Sequence, residues 1–296
     1  MPLPSLNPPQ RHADWLTDMR LLLAQKEREF YWIIDACAHP GLPGVFWELD
    51  EDPQALPLYM NTWQEEVSES GPWMLPVRGH EAVSEWCFAQ SGERPLGCLA
   101  EIAPGAYDDV FDHLQWQLEC RPDGGKSALF RWYDPRILYG MTTWPELPSI
   151  LSRFMGPTLR LHAWEPGRCA AIVCGSGEDT GYRSEDAEAY PNALFDHIWD
   201  EVMIHTIIGT LGLETGDTLR AMPLPEAYAQ GERAALALSA AGYDDRQTLA
   251  YAMSLSARFG PGIWDDPLVN AALAERPANA SLMDVIGELN LYARLS

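Results

Sequence analysis

The chain has 296 residues, 47% of them hydrophobic and 12 of them tryptophan, with 20 Lys+Arg against 43 Asp+Glu for a formal charge of −23. That length suits two domains better than one, because single cores stop growing efficiently near this size. The acidity makes nucleic acid and anionic membrane poor partners, since both are bound through displaced counterions and basic contacts.

The charge reads first as a device that keeps the chain soluble and monomeric, ahead of any acidic docking face. No apolar run approaches the roughly 18–20 residues of a membrane span. The start, "MPLPSLNPPQRHADW", has prolines where a signal peptide carries its basic and apolar regions, so the expected location is the cytoplasm. Cys37, Cys87, Cys98, Cys120, Cys169 and Cys174 form no C-x-x-C pair, which supports neither a disulfide framework nor a zinc site.

In chain order, "HADWLTDMRLLLAQKERE" spaces Trp15, Met19, Leu22 and Leu23 as one face of a helix, and "FYWIIDA" follows as a buried strand. Helix and strand then alternate: "PGLPGVFWELD" (helix), "ALPLYM" (strand), "TWQEEVSES" (helix), "GPWMLPV" (strand), "HEAVSEWCFAQSG" (helix), "LGCLAEI" (strand), "AYDDVFDHLQWQLEC" (helix) and "SALFRWY" (strand). In "LRLHAWEPGRCAAIVC" two apolar runs flank Glu165-Pro166-Gly167-Arg168, a hairpin turn.

The stretch 175–191 is rich in glycine and acid, and beyond it the signals are helical at 192–211, 224–240, 245–258, 266–275 and 281–292. The expected fold class is therefore α+β. An α/β-type lobe at 1–175, with a mixed sheet covered by helices, is followed by an acidic Gly-rich connector at 176–189 and an all-α bundle at 190–296.

"LFRWYDPRIL" at 129–138 concentrates the candidate site. A strand ending at Tyr133 hands over to a helix with Asp134 as N-cap and Pro135 at the first helical position, where its missing N–H costs nothing. Arg131 and Arg136 flank that carboxylate and suit charge-assisted hydrogen bonds. The run is a structural keystone or a docking contact; no nucleophile, base or metal ligand stands beside it for catalysis.

Elsewhere, His197, Glu201 and His205 share a helix face. The two histidines lie about 12 Å apart along the axis, so one helix cannot bring all three to one ion, and satisfied polar residues at the boundary between the lobes are the simpler reading. "GSGEDTG" lacks a phosphate-loop Gly-Lys-Ser/Thr and carries acids that repel phosphate. "PDGGKS" reads as a tight turn, and Asp112 and His113 as surface or capping groups.

"FRWYDPRIL" resembles the signature Phe-Arg-aromatic-Tyr-Asp-Pro-Arg of the effector chaperones, or adaptors, of the bacterial type VI secretion system. Phe130, Arg131, Tyr133, Asp134, Pro135 and Arg136 match its core, and Trp132 keeps the aromatic position. The resemblance extends in order through "IIDACAHPGL", "SGPWMLPV", "GCLAEI", "DHLQWQLEC", "RPDGGKSALFRWYDPR" and "FMGP", about residues 28–160, and is loose in the helical C-terminal part.

It implies a cytoplasmic, non-catalytic protein, without cofactor or metal, that binds a secreted toxic effector and helps load it onto the VgrG spike. Residues 130–136 would then serve docking or the scaffold. Two other functions fit less well: an immunity protein that neutralises a toxin, and a metal-dependent hydrolase built on His197, Glu201 and His205.

Overall fold

The computed structural model describes residues 5–6, 11–39, 41–123, 125–183, 188–210, 218–219, 221–277 and 280–289. The chain divides into two compact units, Met1–Val202 and Met203–Ser296. Gly124 of the "PDGGKS" turn, residues 184–187 of the connector and the ends of the expected helices at 211 and 290–292 lie outside the described residues.

The first unit is built on a sheet of seven strands. They are β1 (Ser5–Leu6), β2 (Glu29–Asp35), β3 (Leu56–Pro57), β4 (Pro72–Pro76), β5 (Gly97–Ile102), β8 (Arg160–Glu165) and β9 (Ala170–Cys174), in the order β1-β9-β8-β5-β2-β4-β3. Every neighbouring pair is antiparallel. A smaller sheet joins β6 (Glu119–Pro122), β7 (Ala128–Leu129) and β10 (Glu188–Tyr190), with β10 parallel and β7 antiparallel to β6.

The α+β class is as expected, but mixed strand direction is confined to the small sheet. The cause of the difference is burial. Long apolar strands such as β5, buried at every position, look alike in parallel sheets and in antiparallel sheets covered on both faces.

Register fixes the two faces. Met74, Ile33, Cys98, Ala163 and Ile172 stand side by side across five strands. They share a core with α4 (Tyr107–Gln117), α5 (Pro135–Thr143) and α6 (Leu147–Met155). One residue along, Leu75, Trp32 and Leu99 point the other way, into a core with α1 (His12–Leu23), α2 (Leu42–Leu49) and α3 (Glu81–Ser91). The alternation of a strand thus distributes one apolar run between two helical layers. Gly97 opens β5 against β2, and a Cβ there would stand 2.0 Å from the Ile33 carbonyl oxygen.

Several expected elements are shorter than their apolar runs. "ALPLYM" keeps two strand residues, "TWQEEVSES" becomes a 3-10 turn at Glu65–Ser70, and "SALFRWY" holds only β7 before the chain turns at 131–133. The strands β6 and β10 and the helix α6 have no counterpart in the sequence expectations.

The second unit takes over within α7 (Asn192–Thr210) and continues as α8 (Leu224–Ala240), α9 (Arg246–Phe259), a 3-10 turn Pro261–Asp265, α10 (Pro267–Glu275) and α11 (Leu282–Glu288). Three of its helices, α9, α10 and α11, start on side-chain caps. Asp245 accepts from the Thr248 amide at 2.8 Å, and Ser281 and Asp284 form a capping box. Its core gathers Tyr228, Leu238, Met253, Trp264 and Ile286, with Trp264 Nε1 donating to Ser256 Oγ at 2.7 Å. No helix among the described residues is long and apolar enough to cross a membrane.

Candidate functional site

Residues 130–136 fold into the start of α5. Pro135 occupies the first helical position and Asp134 caps it, accepting from the Arg136 amide at 2.9 Å. The cap carboxylate is 3% exposed and is held further by Arg136, whose Nε donates at 2.8 Å while its terminal nitrogen reaches the second oxygen. Burial alone would raise the Asp134 pKa; the Arg136 hydrogen bonds and charge, with Arg131 behind them, hold it below the ordinary aspartate value.

Arg131 turns elsewhere. Its guanidinium pairs with Asp35, the buried last residue of β2, and lies 4.0 Å from Asp134. Asp35 also accepts from the Cys37 amide at 3.0 Å. Its pKa is nonetheless raised, because desolvation outweighs the arginine. Burial opposes the charge of Arg131 too, but Asp35, Tyr133 and Asp134 raise its pKa further.

The aromatics of the run are core. Phe130 packs on Tyr190 and Phe195, with ring centroids 5.8 and 5.7 Å away, and Trp132 packs on Tyr133 and Phe154. Tyr133 is 1% exposed and shares a hydrogen bond with Tyr59; burial first, then Asp35, lifts its pKa far above the usual phenol value.

The charges continue past the run. Arg136 also acts on Glu165, fully buried at the end of β8, where the amides of Gly167 and Arg168 donate at 3.2 and 2.5 Å and burial raises the pKa. Arg168 in turn pairs with Glu201 of α7 at 2.9 Å and lies over the Tyr139 ring at 4.6 Å. Asp35, Arg131, Asp134, Arg136, Glu165, Arg168 and Glu201 therefore alternate in sign from the C-terminal end of β2 through α5 to α7. Such a ladder ties three segments together around the almost fully buried carboxylates of Asp35, Asp134 and Glu165, so removing the arginine that faces one of them is costly. Close packing accompanies it: a Cβ on Gly140 of α5 would stand 3.2 Å from the Ile198 Cα of α7.

All seven residues singled out from sequence, Phe130 to Arg136, thus stand together. The arginines do not share one carboxylate: Arg136 clamps Asp134, while Arg131 belongs mainly to Asp35. Asp35, Tyr59 and Glu165 were missed as members. The signal for Asp35 was an acid closing an apolar strand in "IIDACAHPGL", a position that demands a partner.

Other candidates separate. His197 Nε2 lies 2.9 Å from Thr143 Oγ1, Glu201 pairs with Arg168, and His205 packs against Tyr228. Among the described residues no three His, Cys, Asp or Glu side chains gather as metal ligands. His113, expected at the surface, is buried instead; it donates to the Phe154 carbonyl at 3.0 Å and packs beneath Gly156, while Asp112 is exposed. In "GSGEDTG" Thr180 donates to the Ser152 and Gly156 carbonyls at 2.9 Å, closing the end of α6.

Residues 30–148 match the family described as Domain of unknown function (DUF4123). The chain carries a DUF4123 domain. No curated protein and no solved structure matches the chain. The DUF4123 domain runs from β2 into the first turn of α6, and so contains Asp35, Tyr59 and the whole of 130–136, while Glu165, Arg168 and Glu201 complete the ladder from outside it.

Proposed function

We propose that this protein is a non-catalytic chaperone, or adaptor, of bacterial type VI secretion, which holds a toxic effector in the cytoplasm and loads it onto the VgrG spike. The reading is carried by one observation. The motif pieces that resemble the effector chaperones run in order through the DUF4123 domain, all but "FMGP" within residues 30–148, and the most specific of them forms the domain's buried charge ladder.

A scaffold shared by a family of binders is expected to keep such a ladder inside and to work through its surface. Trp47, Trp63 and Trp116 are 52%, 65% and 41% exposed on this domain, side chains of the kind that anchor protein contacts.

Co-expression of the tagged chain with the toxin and spike proteins encoded near its gene tests the reading. The expected result is a complex with the toxin, and loss of toxin–spike association when the chain is omitted. Failure to hold any of these proteins would overturn it; capture of the toxin's active domain with loss of toxicity would make the protein an immunity factor.

A further inference from the structure

The acidity is not spread evenly. Between Arg28 and Arg78 there is no lysine or arginine, while Glu48, Asp50, Glu51, Asp52, Glu65, Glu66 and Glu69 fall in that stretch. The same stretch forms the free edge of the large sheet, where β3 is the last strand. Large apolar side chains stand exposed along it: Trp47, Leu56, Trp63 and Val67, the last 54% exposed.

They are joined by packing. Trp47 meets Trp73 edge-on at 6.1 Å, and Trp73 pairs with Pro57 of β3. Pro57 and Met60 floor a groove of about 350 Å³ whose other walls are Glu65, Glu66, Ser68 and Glu69. Trp63 is fixed beside it by donating to Glu119 at 3.0 Å. None of Glu65, Glu66 and Glu69 pairs with a cation among the described residues, and all three are exposed.

We propose that this edge is the docking site for a basic, apolar-anchored segment of the bound protein, arginine or lysine entering the groove and neighbouring apolar side chains covering Trp63 and Val67. The source of the segment rests on the chaperone reading; its chemistry does not. Three unpaired carboxylates around one groove repel each other, and an entering cation relieves that repulsion. The tryptophan faces add cation–π attraction and area to bury. A second copy of this chain would set acid against acid, and an acidic segment would be rejected for the same reason.

The test uses the full chain and fluorescein-labelled short peptides read by anisotropy: one alternating Arg and Leu, one alternating Arg and Ser, and one alternating Glu and Leu. Wild type should bind the Arg/Leu peptide best and the Glu/Leu peptide not at all. The triple change Glu65→Lys, Glu66→Lys, Glu69→Lys should weaken Arg/Leu binding by about tenfold or more, equivalent to about 1.4 kcal/mol.

Trp63→Ala should weaken it several-fold with the fold unchanged by circular dichroism. The control Asp244→Lys, Asp265→Lys, Glu275→Lys makes the same charge change at exposed sites of the second unit and should retain binding. Equal losses in both triple variants, or equal binding of Arg/Leu and Arg/Ser peptides, would overturn the proposal.

Toxin capture in parallel separates the two claims. A toxin held equally by wild type and the Glu-to-Lys variant sinks the docking edge and leaves the chaperone; peptide binding lost with Glu65, Glu66 and Glu69, but no toxin held, keeps the edge and sinks the chaperone.

Discussion

An Asp-Pro pair opens a helix in each unit, Asp134-Pro135 at α5 and Asp266-Pro267 at α10, with the same backbone device. Each aspartate accepts from the amide two residues on, at 2.9 Å from Arg136 and 2.7 Å from Leu268, and each proline fills the first helical position. The difference lies in the side chain of that second helical residue and in burial. Arg136 folds back on its own cap and closes it inside the protein, whereas Leu268 is 52% exposed and Asp266 accepts from the amides of Leu268 and Val269. An identical local signal thus serves as a plain helix start in one place and as the centre of a buried charge ladder in the other.

Breaking the caps should show this most strongly at Asp134. Asp134→Ala removes the carboxylate that Arg136 clamps in a largely buried site and should cost about 3–5 kcal/mol. Urea unfolding followed by tryptophan fluorescence reports the first unit, because Trp264 is the single tryptophan after Val202. A loss no larger than that of an ordinary cap would reduce the ladder to a capping contact.

The effect has a pH signature. Because the folded-state pKa of Asp134 is depressed, its stabilisation is present above the ordinary value of 3.8 and is lost as pH falls through the folded value. The stability gap between wild type and Asp134→Asn should therefore narrow in acid below pH 3.8; a constant gap down to about pH 2 would contradict the depressed pKa.

Next in size is Arg136→Lys, which keeps the charge but loses the two-pronged grip and should cost about 1–3 kcal/mol. Arg131→Lys should fall at the lower end of that range, since its side chain is 32% exposed. Asp266→Ala should cost about 0.5–2 kcal/mol, the ordinary worth of an N-cap, read by the far-ultraviolet melting of the chain. Smallest is the gain from Leu268→Arg, which copies the Asp-Pro-Arg sequence into the second unit. At an exposed site it should add no more than about 1 kcal/mol, and a gain comparable to the Asp134→Ala loss would show that burial is not what separates the two caps.

The caps were legible because they are local: Asp134, Pro135, Asp266 and Pro267 act on amides within three residues. The helices of the second unit were likewise close to their expected limits, since period and capping set them. The short strands were not. Residues 130–133 carry a strand's apolar composition, yet only Ala128–Leu129 pair, because the antiparallel register with Glu119 and Cys120 runs next into Leu118 at the end of α4, where no strand continues. His113 also misled, since its place on an amphipathic helix does not reveal that α6 lies over it.

The sequence by itself determined the α+β class, the order of most elements and the Asp134 cap, because these depend on periodicity and on contacts near in the chain. Only the tertiary structure decided that the large sheet is antiparallel throughout, that Arg131 answers Asp35 rather than Asp134, and that Glu165, Arg168 and Glu201 extend the ladder. The Arg168–Glu201 and Arg131–Asp35 pairs join residues 33 and 96 positions apart. A charge states only that it needs an opposite partner, and which one it receives is fixed when burial takes water away and the fold brings a single candidate within reach.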